Sequence, residues 1–217
     1  MELVAIDESR VVHLTMVARP AGQMYLPEVA AKLVGRYGFA KPPTLDDLLK
    51  DVQIFGVGKF DDIAIQELRI YGDGIIVSSR SNTAKIDAFI KDLFAWAEKE
   101  IGLIQAITAK PERYYESLLM VKSKVDLAKC LAPADAVLTA FQRAWKSENK
   151  IEASFMPSGL LLDCDAFKFA GRRKPTRVSV ERRLGFPFEE NVFYCGAPLS
   201  TDHHLAFLTA LEGLAGG

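Results

Sequence analysis

The chain has 217 residues, of which 49% are apolar and 25% charged, and its formal net charge is −1. That balance excludes an intrinsically disordered chain, and it excludes the broad basic field of a protein that grips nucleic acid by charge alone. At this length a core large enough to fold without disulfides or a metal is expected.

Cys130, Cys164 and Cys195 are widely spaced and contain no C-x-x-C pair. This is the pattern of reduced thiols, neither a disulfide framework nor a zinc site. The run from Met1 to Glu8 is acidic and too short in apolar residues for a signal peptide. No stretch reaches the ~20 apolar residues of a membrane span. A soluble, cytoplasmic protein without a cofactor is expected.

Val12, Leu14 and Val17 predict a strand over 10–18, broken by Arg19-Pro20-Ala21-Gly22. Pro27 and Glu28 suit a first helical turn, and Val29, Leu33 and Tyr37 continue it to a stop at Gly38. Thr44 with Asp47 resembles a capping box opening a short helix through Lys50. Strands follow over 52–57 and 63–70. In the second, the parity of the apolar residues changes between Ile65 and Leu68, which predicts a bulge. Tyr71-Gly72-Asp73-Gly74 is a hairpin turn into 75–79. Asn82 and Thr83 cap a helix whose stripe is Ile86, Phe89, Ile90, Leu93, Trp96, Ala97 and Ile101, and Gly102 ends it.

The second half reads in the same way. A strand is predicted over 114–125, then a helix from Pro133 with Val137, Leu138, Phe141 and Trp145 at helical spacing. Ile151, Ala153 and Phe155 alternate, and Pro157-Ser158-Gly159 turns into 160–164. Val178 and Val180 mark a strand, 192–195 another, and Ser200 or Thr201 caps a last helix with Leu205, Leu208 and Leu211. The fold class is therefore α+β, mainly antiparallel sheet with about four principal helices. Each half, 1–103 and 104–217, reads β-α-β-β-β-α. Thr83 aligns with Thr201 and Leu93 with Leu211, so an internal duplication is one reading; one continuous sheet with helices packed on it is the other.

The loudest chemical motif is Asp202-His203-His204, to be read with Asp163-Cys164-Asp165. Together they resemble the D-H-H and D-x-D elements of the DHH phosphoesterases. That resemblance implies carboxylates and imidazoles holding metal ions that activate water against a phosphate. Against it, Asp165 and Asp202 are only 37 residues apart, which leaves no room for the intervening layers of such an enzyme. Asp202 also suits the first turn of a helix, and His203 and His204 would diverge by about 100° on one. No family shares enough residues with the chain to be assigned.

A second feature is basic. Lys168, Arg172, Arg173, Lys174, Arg177, Arg182 and Arg183 fall within 16 residues, opposed only by Glu181. Phe167, Phe169, Phe186 and Phe188 flank the run. Arg172, Arg173, Lys174, Arg177 and Arg183 are the candidates for holding a phosphate or single-stranded nucleic acid. The plainer reading is a solvated hairpin or a charged edge strand. The two halves carry −3 and +2, a mild asymmetry. Cys195 near His203 or His204 would make a thiol–imidazole pair, but a buried thiol fits its apolar neighbours better. His13 reads as structural, and Trp96 and Trp145 as core residues or, where a stripe exceeds its core, as interface anchors.

No catalytic constellation or cofactor fingerprint emerges. The sequence is therefore read as a non-catalytic protein acting through a protein partner or self-association. A metal-dependent phosphoesterase built on Asp163, Asp165, Asp202, His203 and His204, and anion or nucleic-acid binding by the basic run, are the alternatives. A cavity between sheet and long helix, holding a small apolar ligand, is a further one.

Overall fold

The computed structural model describes residues 1–18, 26–105, 111–127, 135–149, 156–165 and 174–216. They form four helices and an eight-stranded antiparallel sheet, the α+β class expected, with a separate two-stranded ribbon. Two compact units are present. One comprises Ile6–Ser117 and Pro198–Asp202; the other comprises Met1–Ala5, Leu118–Ala197 and His203–Gly217. Strands β1 (Glu2–Leu14) and β7 (Glu112–Lys122) contribute residues to both. The seam read at 103/104 lies inside the first unit. Among the described residues no helix is long and apolar enough to cross a membrane.

In the first unit the strands lie in the order β3-β4-β5-β1-β7, where β3 is Val52–Phe60, β4 Ile63–Tyr71 and β5 Gly74–Ser79. Gly72 and Asp73 form the two-residue turn between β4 and β5, since Tyr71 pairs with Gly74. The bulge read from the sequence is present: the β4–β5 register shifts between Ile65 and Glu67. The extra residue, Gln66, restores parity, so Ile63, Ile65, Leu68 and Ile70 all join one core. The strand expected over 10–18 differs. β1 ends at Leu14, the Thr15 amide donates to the Asp73 carbonyl, and Val17–Ala18 (β2) pairs instead with Ile104–Gln105 (β6).

Two helices cover this core. In α2 (Thr83–Ile101) the Asn82 side chain accepts from the Ala84 amide, and Gly102, at φ +68°, closes the other end. Ile86, Phe89, Ile90, Leu93 and Ala97 face inward. Helix α1 (Leu26–Tyr37) buries Ala30, Leu33 and Tyr37. It is tied to α2 through Asp92, which accepts from the Arg36 guanidinium at 2.8 Å and from the Tyr37 hydroxyl at 2.8 Å. Thr44 and Asp47 make the reciprocal bonds of a capping box, but the segment they open is a single 3-10 turn, Asp47–Leu49.

In the second unit the order is β7-β10-β9-β8, with β8 at Gly159–Leu162, β9 at Val178–Arg182 and β10 at Val192–Ala197. Its helices are α3 (Asp135–Asn149) and α4 (Thr201–Gly216), although the first two residues of α4 belong to the other unit. The Arg182 guanidinium is buried, 2.5 Å from the Asp126 carboxylate and over the rings of Phe188 and Phe193. Glu212 accepts from the Ser123 hydroxyl and the Lys124 amide. Cys130, Pro133, Ile151, Ala153, Phe155, Lys168, Arg172 and Arg173 lie outside the described residues.

Candidate functional site

Asp202 opens α4, as read from sequence, and its carboxylate accepts from the Asn82 side-chain amide at 2.8 Å. The two histidines diverge. His203 is exposed, whereas His204 is fully buried. Burial lowers the His204 imidazole to about 4, so it is neutral at physiological pH. Asp163 is engaged elsewhere: Lys174 lies 3.1 Å and Arg177 3.3 Å from its carboxylate oxygens. The Lys174 hydrogen bond, then the Cys164 amide and Arg177, hold that carboxyl below its usual range. Among the described residues no three His, Cys, Asp or Glu side chains are grouped to hold a metal.

The same contacts change the basic run. Two of its cations, Lys174 and Arg177, face Asp163. Arg182 is buried against Asp126. Arg183 lies over the Tyr194 ring, 5.2 Å from its centroid. Asp126 is 56 residues before Arg182, so no local sequence pattern announces that pair. Cys195 is fully buried, and burial pushes its thiol up to about 12, which removes the thiolate a nucleophile needs.

His13 is likewise structural. Its Nδ1 accepts from Arg113 Nε at 3.1 Å, and Arg113 and Tyr115 both bond the Asp87 carboxylate. The acceptor role fixes the neutral tautomer with the proton on Nε2. Burial, and then the neighbouring guanidinium, lower its affinity for a second proton.

Two features have the geometry of a binding site, and neither lies on a catalytic motif. The first is a cavity of about 610 Å³ in the Ile6–Ser117 unit, walled by α1, α2 and the β3–β5 strands. Leu33, Phe55, Ile70, Leu93, Phe94 and Trp96 supply much of its surface. The volume falls within the range of small-molecule sites. Its cause is the standoff of two helices from a sheet, which residue periodicity does not encode.

The second is α3. Val137, Leu138, Phe141 and Trp145 make the apolar stripe expected, yet from Val137 to Glu148 no side chain is buried. Val137 is 70% and Phe141 50% exposed. The stripe was visible in the sequence; its exposure was not. No protein-family model matches the chain, and no curated protein matches it by sequence.

Proposed function

We propose that this is a non-catalytic intracellular protein that works through association, and that the apolar face of α3 is where two copies of the chain meet. The observation that carries the reading is the exposure of Val137 and Phe141 on that face, beside the half-buried Leu138 and Trp145. A short helix containing Thr, Ser and Asn is marginal in water and gains its stability by packing an apolar stripe. A second copy supplies a self-complementary cover. An antiparallel pairing centred on Phe141 sets Val137 against Trp145 of the other copy, because each is four residues from the centre.

The pairing of Lys174, Arg177 and Arg182 with carboxylates and the divergence of the two histidines add to this reading. Light scattering coupled to size exclusion tests it. The wild type is expected as a dimer, and Phe141→Asp as a monomer with an unchanged circular-dichroism spectrum. A wild type that stays monomeric overturns the pairing. Turnover of a substrate that one polar substitution abolishes without unfolding overturns the non-catalytic assignment.

A further inference from the structure

The cavity in the Ile6–Ser117 unit is independent of α3, and its wall defines a ligand chemistry. Its surface is mostly hydrocarbon and aromatic. The charged residues on it, Lys50 and Asp51, are one of each sign. The Lys50 ammonium is already held by the Asp47 carboxylate at 2.6 Å. The Gln53 side-chain amide donates to the Lys50 carbonyl at 2.6 Å. Among the described residues, no free cation on that wall awaits an anionic head group. The driving force on offer is removal of hydrocarbon from water.

One polar residue on the wall stands apart. Thr15 follows β1, is only 6% exposed, and its Oγ1 has no hydrogen-bond partner. Buried hydroxyls are normally bonded, so an orphan one calls for an explanation. The oxygen itself is covered, but one staggered step about χ1 carries the hydroxyl to another of the three substituent positions on Cβ. That step offers a cavity ligand a hydrogen-bonding partner on a mostly apolar wall.

We propose that this cavity binds an uncharged, hydrocarbon-rich small molecule carrying one hydroxyl or carbonyl group, which Thr15 engages. 1-Decanol and decanoate are suitable probes, since they share a chain and differ in head-group charge. Native mass spectrometry and titration calorimetry on the full chain are expected to show one 1-decanol per chain, with decanoate at least tenfold weaker. Thr15→Val should bind 1-decanol about three- to tenfold more weakly, the loss of one net hydrogen bond. Val29→Trp, which places an indole at the half-buried cavity wall on α1, should abolish binding while the far-ultraviolet spectrum is kept.

Absence of saturable binding to the wild type overturns the proposal. So does equal affinity for decanoate, unchanged affinity in Thr15→Val, or undiminished binding by a folded Val29→Trp. The same mass spectra report the oligomeric state, so failure here is distinguishable from failure of α3 pairing.

Discussion

Thr83 and Thr201 hydrogen-bond each other twice: each backbone amide donates to the other's hydroxyl, at 3.0 Å in both directions. Each is the first residue of its helix, α2 or α4. A helix leaves its first amides without partners inside the helix. Here two helix starts satisfy each other, and the Ser9 hydroxyl joins them at 3.4 Å from Thr201 Oγ1. All three residues are buried.

Removing either hydroxyl leaves a buried amide without an acceptor. Thr83→Val and Thr201→Val should each cost about 1–2 kcal/mol, whereas Thr83→Ser and Thr201→Ser should cost less than about 1 kcal/mol. Urea denaturation checks this through a lowered midpoint at constant slope. Equal midpoints for the valine and serine variants would contradict the assigned bonds.

Histidine burial makes stability depend on pH. Folding lowers the His204 value from about 6.5 to about 4, so the folded state resists the proton that the unfolded chain accepts. The stability is fully present above about pH 6.5 and is lost as pH falls towards 4. The total loss is about 3 kcal/mol, at 1.36 kcal/mol per unit. His13 acts in the same direction, because its Nδ1 must stay an acceptor for Arg113. His204→Gln should flatten the fall in urea midpoint between pH 7 and 4.5. A variant with the wild-type slope would refute the role given to His204.

The Asp126–Arg182 pair should behave as a buried ion pair. Asp126→Ala leaves the guanidinium buried without its carboxylate and should cost about 3–5 kcal/mol. The double variant Asp126→Leu/Arg182→Met should be more stable than Asp126→Ala alone, because both charges leave together. Chemical denaturation of the three proteins measures the difference. A double variant less stable than Asp126→Ala would exclude this account.

Neighbouring residues of β3 should respond in opposite directions. Val57 is exposed and has φ +57°, a region that disfavours a β-branched side chain. Val57→Gly should therefore raise stability by about 1 kcal/mol. At Gly58 an added Cβ would lie 2.4 Å from Cε1 of the buried Phe39 ring. Gly58→Ala should lower stability by about 1–3 kcal/mol as the ring is displaced. Thermal melts suffice to read both signs.

Local chemistry made much of the fold legible. Asn82 and Gly102 delimited α2, and the parity change after Ile65 located the bulge, because capping and strand alternation act over a few residues. With the ribbon strands β2 and β6 set aside, the described elements of both halves run β-α-β-β-β-α, with the opening strand beside the last of the following three, as β3-β4-β5-β1 and β8-β9-β10-β7. What escaped was decided at a distance. His204 is fully buried in α4, whereas Leu205, read as sharing one face with Leu208 and Leu211, is only half-buried. Asp163 and the cations Lys174 and Arg177, read as members of two different sites, pair with one another. Thr83 and Thr201 were matched as equivalent positions, but no pattern announced that they would touch.

The cavity beside α2 also governs how this fold answers compression. Whatever part of that space is closed to water in the native state is eliminated on unfolding, and that part makes the unfolded chain the smaller in volume. Hydrostatic pressure therefore works against this part of the molecule, and any cargo that fills the space works against the pressure.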